Sequence, residues 1–593
     1  MGRAIDSVTA FDLPDGSLTA TSSSGPVGAQ WADRETLTLF ARVDDPEGVR
    51  EVAIWGTTKL TCVPASGLAT TRGPGLVTAP LTVSTDDAKA GEMTRTAREV
   101  EWTIQAGDFR CPARSQLIAE QVFWGAGSNF GGGDIKSETL TLTYVRPSDP
   151  QRRRPIGFDP FSGDGALHSS VVESDTFSNG STVLAVFQAG RFAQGGGASD
   201  IGFARSPDAG KTWTSGYLPN VTKLSVREGQ DAGGLADRAT DPSIAYDAKH
   251  DVWLASVLHV NGPFGPRYPE GPSHYAVSCS TDNGNSWSDP VIAIPMPPGA
   301  TGWSHDQGWV ACDNWASNLH FGRCYLAALD VHDQRAPQLK LVQSDDGGQK
   351  WTSPIDIPNG GSPKIVVVPG GDVVIMSKGI TEMQSIRSKD GGETFEPPVN
   401  MGSLRGVAAS FFGPEFVTAD RATSDGSIYA AWTSCALRPV CNGNDIVFTS
   451  SSDGGKTWAP IRAVVADGAH HVMPALAVDP GSTLTNTRIA IQFYSMAGVP
   501  CDATCELDVS FVLSKDAGAT WSAPKTIDDL RSPIGWHSYR AVPPNGQRVY
   551  FVGDYVSSSF ADSKFVAVFP LASREPVGDR LTQPLWSATI EVP

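Results

Sequence analysis

The sequence predicts an all-β chain of two domains, and three observations carry that prediction. Glycine (62) and proline (43) are abundant and charged residues make up only 19% of the 593 residues, which suits short strands joined by turns. Apolar and polar residues alternate in short runs such as Leu37-Thr38-Leu39-Phe40-Ala41 and Thr139-Leu140-Thr141-Leu142, the period of a half-buried strand. A third feature, an eight-residue pattern, recurs six times along the second part of the chain. A length of 593 residues exceeds what one core supports.

The pattern is Ser-x-Asp-x-Gly-x-Thr-Trp. It occurs as SPDAGKTW (206–213), STDNGNSW (280–287), SDDGGQKW (344–351), SKDGGETF (388–395), SSDGGKTW (451–458) and SKDAGATW (514–521). Its chemistry is that of a turn: Asp208, Asp282, Asp346, Asp390, Asp453 and Asp516 accept backbone N–H groups, and the glycine supplies positive φ. The aromatic residue anchors the hairpin in the sheet layer. Strand-like runs flank each copy, such as Asp445-Ile446-Val447-Phe448 before it and Pro290-Val291-Ile292-Ala293 after it. Two further runs lie upstream, as in Ser243-Ile244-Ala245-Tyr246 and Val252-Trp253-Leu254-Ala255. Four strands per unit, repeated, are the blades of a β-propeller.

The six copies resemble the Asp-box (bacterial neuraminidase repeat) family of β-propellers, of which sialidases are members, over about residues 160–593. Segments 241–247, 308–327 and 553–560 also resemble extracellular sialidase-like proteins. The resemblance implies a propeller over 158–593. Six copies, with the further strand Phe565-Val566-Ala567-Val568-Phe569 after the last one, favour seven blades, closed by a strand near 156–170, over six. Residues 1–148 carry no copy and alternate instead, which suggests an immunoglobulin-like β-sandwich. The stretch 149–157, with Arg152-Arg153-Arg154 between prolines, is the linker.

A net charge of −18 argues against a nucleic-acid partner, which needs a basic footprint. No apolar run is long enough for a membrane span. The nine cysteines show no zinc spacing. The near pairs Cys312 with Cys324, Cys435 with Cys441 and Cys501 with Cys505, together with Cys62 and Cys111, read as disulfides of an oxidising compartment, leaving Cys279 unpaired. Secretion is therefore expected, and Met1-Gly2-Arg3-Ala4-Ile5-Asp6 has no apolar signal core, so the expectation includes a removed leader.

In such a fold the repeats lie at one end of the axis, and the loops entering each first strand or joining the second and third strands lie at the other. Those loops hold Asp237, Arg238, Asp241, His305, Asp306, Arg405, Glu415, His470, His471, His537, Tyr539, Arg540, Asp554 and Tyr555, with Arg191, Arg267, Tyr268, His332, Arg335 and Arg438. A retaining sialidase uses a tyrosine nucleophile activated by a glutamate, a carboxylic acid as general acid/base, and arginines that fork onto the substrate carboxylate. The resemblance implies Tyr555 with Glu415 as nucleophile pair and Asp241 or Asp306 as acid. Arg191, Arg238 and Arg405 then hold the substrate, with His305, His470, His471 and Asp554 beside them. The Phe/Tyr-Arg-Ile-Pro motif of many bacterial sialidases is missing; Gly190-Arg191-Phe192 is its partial counterpart.

The expected activity is thus a sialidase-like glycoside hydrolase acting on extracellular acidic glycans, with carbohydrate as its partner and no required cofactor. A polysaccharide lyase on the same scaffold needs a Tyr or His base and a neutralising Arg, also present. A non-catalytic glycan- or protein-binding propeller is the third reading. Structural calcium in acidic loops, or a divalent metal at His168, His305, His470 and His471, would be accessory.

Overall fold

The computed structural model describes residues 153–592, apart from 162–165, 195, 225–233, 235, 263–270, 301, 332–337, 359, 408–415, 484–485, 497–503, 528–531, 543–546 and 575–580; before residue 153 it describes the backbone of strands only. The chain divides into a unit of residues 1–154 with 574–580 and a unit of 155–573 with 581–593. Every regular element among the described residues is a strand, except a single 3-10 turn at Ile534–Trp536. None of them is a helix able to cross a membrane.

In the first unit nine strands pair into an antiparallel sheet of six and another of three. Its longest pairing joins Glu51–Val63 to Gln116–Gly127. The side chain of Cys62 and all of Cys111 lie outside the described residues.

In the second unit, antiparallel meanders succeed one another, numbered here sheets I to VII. Their first strands are Leu167–Asn179 (I), Arg238–Asp247 (II), His305–Cys312 (III), Gly361–Val367 (IV), His470–Val478 (VI) and Ser558–Ala561 (VII). Sheet V begins with the isolated pairing of Thr418 with Ala431 before Ile428–Ser434. Sheet VII is completed from the other end of the chain, since Arg153–Gly157 pairs beside Leu585–Glu591.

Apolar side chains sit between successive sheets. Val186 and Ile201 of I meet Ile244 and Trp253 of II, and Leu254 and Val277 of II meet Val310 and Leu326 of III. The same holds for III with IV, IV with V, V with VI and VI with VII. The series returns on itself: Val566, Val568 and Leu585 of VII pack on Val171, Val183 and Phe187 of I.

The six repeats are hairpin tips between third and fourth strands. In the first, Ser206 Oγ donates to Asp208 at 2.9 Å and accepts Gly210 N–H at 2.8 Å, while Asp208 accepts Thr212 N–H at 2.8 Å and its hydroxyl at 2.7 Å. Ser280, Ser344, Ser388, Ser451 and Ser514 repeat the serine bonds, and Asp282, Asp346, Asp390, Asp453 and Asp516 accept the backbone N–H four residues on. Bonds from the Ser286 hydroxyl and N–H hold the Asp282 carboxyl down to about 2. The glycines need their positive φ, and they also touch the preceding sheet. A Cβ on Gly284 would stand 2.6 Å from Leu184, and one on Gly518 2.6 Å from Phe448.

Two disulfides join pairs of described residues. Cys312–Cys324 crosses paired positions of sheet III, and Cys435–Cys441 closes the loop after the second strand of sheet V. Cys505 is also disulfide-bonded, and Cys501 lies outside the described residues. Cys279 is free and buried.

Gly518→Ala is expected to cost about 2–4 kcal/mol of stability, from left-handed strain plus overpacking on Phe448. Gly426→Ala, at φ 83° with nothing within 4 Å, should cost about 1 kcal/mol. Denaturant midpoints of the two variants check this; equal losses would mean that the glycine's contact with the preceding sheet contributes nothing.

Candidate functional site

The first strands share a local irregularity. Pairing with the second strand slips between Val172 and Asp175, Thr240 and Ser243, Asp306 and Trp309, Gly361 and Lys364, and Val472 and Ala475. Inside each slip one residue takes positive φ: Glu173 (51°), Asp241 (49°), Gln307 (51°), Ser362 (50°) and Met473 (51°). Gly553, at φ 132°, faces the first of these, where a Cβ would stand 2.7 Å from Glu173 N. An extra residue in a strand re-aims its side chain, and non-glycine residues at positive φ carry strain that the surrounding packing must hold.

The bulges bring polar side chains of consecutive sheets together. Glu173 and Asp306 each share a hydrogen bond with the Asp241 carboxylate. Gln307 N–H donates to Asp241 Oδ2 at 2.7 Å, and Ser362 Oγ donates to Gln307 Oε1 at 2.5 Å. Thr240 Oγ1 donates to Asp241 Oδ1 at 3.1 Å, and Gln188 Nε2 donates to Thr240 Oγ1 at 2.8 Å and also to Glu173. Buried Tyr275 places its hydroxyl 3.5 Å from Asp241 Oδ2 and accepts the N–H of Gly308.

Electrostatics follow from this crowding. Burial first, then the charges of Asp241 and Asp554, push the Glu173 carboxyl well above its usual range, and the Arg191 guanidinium opposes them. Burial and then Asp241 do the same to Asp306. Glu173 and Asp241 are buried, whereas Asp306 and Asp554 are half-buried. The site therefore crowds carboxyls, two of which, Glu173 and Asp306, hold their protons more tightly than an ordinary carboxyl does.

One step further along the strands lies a second layer. Lys364 is buried over the ring of Trp309 and 5.1 Å from that of Tyr555. Tyr555 meets Trp309 edge to face at 5.4 Å, and its hydroxyl donates to Pro242 O at 2.8 Å. Burial lowers the Lys364 ammonium well below its usual range, against the nearby charge of Asp175. Burial raises Asp175 to about 6, with Lys364 and the Ile244 N–H opposing it.

Of the residues expected from sequence, the structure brings Asp241, Asp306, Asp554 and Arg191 to one cluster and places Tyr555 directly behind it. Arg191 also lies 3.8 Å over the Phe551 ring. Arg238 instead stacks on Phe192 at 3.7 Å and donates to the carbonyls of Gln194 and Gly196. Arg405 is exposed on the loop after Val399–Ser403. His305 Nε2 lies 3.1 Å from Pro295 O.

His470 accepts Asn444 N–H at 2.9 Å, and burial takes its imidazole down to about 4. His471 bridges Asp467 and Ser495, His537 accepts Ala572 N–H, and Arg438 ties Asp445 to Ala469 O. Asp237 is paired with Lys223, and Tyr539 carries Arg548 over its ring. Glu415, Arg267, Tyr268, His332 and Arg335 lie outside the described residues, as do the side chains of His168 and Arg540. Among the described residues, no three His, Cys, Asp or Glu side chains gather in a geometry able to hold a metal ion.

Glu173, Gln188, Tyr275, Gln307 and Lys364 escaped the sequence reading, which looked for chemistry in loops. For Glu173 and Lys364 the signal is charge inside an apolar strand: Val171-Val172-Glu173-Ser174-Asp175 and Ser362-Pro363-Lys364-Ile365.

No family model matches the chain. A curated sialidase of Bacteroides fragilis is 29% identical over 164 residues, which cover 26% of this chain and 28% of that protein. Solved structures that align with the chain include the Hadza microbial sialidase Hz136 (12% identity, TM-score 0.39, 84% of this chain and 96% of that one). They also include the NanB sialidase of Streptococcus pneumoniae (11%, 0.38, 94% and 95%) and a PL25 ulvan lyase (12%, 0.40, 74% and 96%).

Because the folded protein holds the Glu173 proton above the usual range, this group stabilises the fold below the ordinary glutamate value of 4.5 and loses that contribution as pH rises through its raised value. Glu173→Gln, which cannot ionise, should therefore match the parent near pH 4 and exceed it in melting temperature by a few degrees at pH 8. Thermal unfolding across that range checks the sign; a variant less stable at pH 8 than at pH 4, relative to the parent, would contradict it.

Proposed function

We propose that sheets I–VII form a seven-bladed β-propeller of the Asp-box kind and that the chain is a secreted sialidase-like glycoside hydrolase, with the bulge cluster as its site. The circular order of apolar layers and the wedging of each hairpin tip against the preceding sheet support the propeller. The bonded cysteines support an oxidising compartment. The first unit, with its two antiparallel sheets, is proposed as the immunoglobulin-like sandwich.

One observation carries the activity: Glu173 and Asp306, two carboxyls whose proton affinity is raised by burial and by Asp241, flank Asp241. Hydrolysis of a glycosidic bond requires a protonated carboxyl to release the leaving oxygen and a second carboxylate to support attack at the sugar. Asp306, half-buried, is the general acid of this proposal. Asp554, half-buried on the neighbouring side, supplies the opposing carboxylate. Glu173 and Arg191 set the charge around Asp241. Tyr555 acts as a positioning residue, because its hydroxyl is given to the Pro242 carbonyl behind Asp241.

A panel of fluorogenic glycosides, with a sialoside among neutral sugars, tests this. Turnover should fall as pH rises through the raised Asp306 value, since the acid works only while protonated. Asp306→Asn should lower kcat about 10²–10⁴-fold and lose that alkaline limb. Tyr555→Phe should keep measurable turnover with a displaced limb; complete loss would make Tyr555 the nucleophile. Absence of release from every glycoside, with new ultraviolet absorbance from uronic-acid polymers, would replace hydrolysis by lyase chemistry. Binding on glycan arrays without either signal would leave a non-catalytic propeller.

A further inference from the structure

The bulge residues of sheets I to IV form one relay: Glu173 bonds Asp241, Asp241 accepts Gln307 N–H, and Gln307 Oε1 accepts the Ser362 hydroxyl. The last bond fixes the Gln307 amide. With Oε1 held by Ser362, Nε2 is left over as a donor. It has no hydrogen-bond partner among the described residues, and it keeps accessible surface on a half-buried side chain. Gln307 N–H also donates to Asp306 Oδ1 at 3.1 Å, so the spare donor belongs to the residue against which the Asp306 carboxyl folds. An amide donor beside carboxyl oxygens is a pairing that a hydroxyl group satisfies, because a hydroxyl accepts from the one and donates to the other.

The rest of the cluster is rich in acceptors. After burial, the influences on Asp306 are those of Asp241, Asp554 and Glu173, all carboxyls, while Arg191 acts on Glu173 as an opposing charge. The shortage of donors extends into the buried layer. Gln188, fully buried, spends Nε2 on Glu173 and Thr240, and its Oε1 has no partner among the described residues. A carboxylate on the guest would add acceptors and negative charge where both are in excess. Hydroxyl groups bring donors without charge.

We propose that the site takes a neutral sugar, and that Gln307, its amide oriented by Ser362, donates Nε2–H to one of the sugar's hydroxyl groups. This rests on the hydrolase reading of the cluster and adds a substrate class to it.

Glycosides that differ in one group decide the class. On the full chain, 4-methylumbelliferyl glucosides and galactosides are compared with the corresponding glucuronide and galacturonide, and with the sialoside. A neutral glycoside should exceed its uronide in kcat/KM at least about tenfold. For that glycoside, Gln307→Ala should raise KM about fivefold and leave kcat within about twofold. Gln307→Glu, of the same shape but ionised at neutral pH and without the donor, should lose at least as much, which a packing role would not require. Ser362→Ala should raise KM about threefold. Melting temperature and far-ultraviolet dichroism report whether each variant folds; should Gln307→Ala unfold, Gln307→Glu and Ser362→Ala decide. Saturation-transfer NMR with the methyl glycosides and methyl uronides makes the same comparisons without turnover. Preferential binding of the neutral sugar with no cleavage of any glycoside supports the substrate class and fails the hydrolase reading alone. Preference for a uronide or the sialoside, binding of neither class, or unchanged affinity in the folded Gln307 variants would overturn the proposal.

Discussion

Each hairpin tip is locked by a serine and an aspartate so that a glycine lies flat against the sheet before it, and the rest of the second unit depends on that contact. The serine hydroxyl takes the glycine N–H, the aspartate takes the N–H groups that follow, and the glycine without its Cβ approaches Leu184, Leu254, Val374 or Phe448 of the preceding sheet. Local turn chemistry thus sets the spacing between sheets. Six repetitions set it six times, and the tip of sheet I touches Val566 and Thr589 of sheet VII, which carries the same contact across the closure. The apolar layers fill the space so defined.

That spacing lets the first strands tolerate their bulges. A positive φ at Glu173 or Asp241 is costly in isolation, but here the displaced backbone is bonded across to the next sheet: Ile244 N–H reaches Asp175, Val310 N–H reaches Ser243, and Leu476 N–H reaches Thr418. Asp175 and Ser243 stand two residues beyond the bulge position in their strands. The cross-bonds hold the bulges, and the bulges hold carboxyls of different sheets in contact. The raised proton affinity of Glu173 and Asp306 is the electrostatic consequence, because carboxyls forced together in a poorly hydrated place oppose one another's ionisation.

The sheet succession was legible because turn chemistry is local. Serine, aspartate and glycine must stand at fixed offsets for the tip to form, so six tips declare themselves in one dimension. The closing strand was placed near 156–170 from the need for a fourth strand; the strand that pairs there is Arg153–Gly157. The site was legible in part. Asp241, Asp306 and Asp554 stand next to strand entries and could be selected by position. Glu173 sits within an apolar run and resembled core. Arg238, His470 and His471 satisfy the same positional rule, yet the structure occupies them in stacking and bridging bonds, because a polar group near a strand end is as useful for tying loops as for chemistry. A usable signal was present: proline follows the bulge residue in Asp241-Pro242, Ser362-Pro363 and Met473-Pro474. A proline that lacks the N–H a ladder needs marks an interruption inside a strand, and its recurrence at equivalent places in alternate sheets points to the ring of bulges.

The layer of Trp309, Lys364 and Tyr555 separates two ends with opposite demands. At one, carboxyls gather and half-buried Asp306 and Asp554 keep contact with solvent; at the other, Asp420 pairs with Arg421 and Asp479 with Arg488. Lys364 lies between them, over Trp309, with its ammonium destabilised by burial and supported by Asp175. A charge there would pull on the carboxyls of the cluster through a medium of low polarity, where Coulomb forces act strongly. Keeping that lysine over an aromatic face and beside Asp175 confines its influence to its own neighbour. The carboxyl cluster can then take its proton affinity from burial and mutual repulsion, the causes that rank first for Glu173 and Asp306.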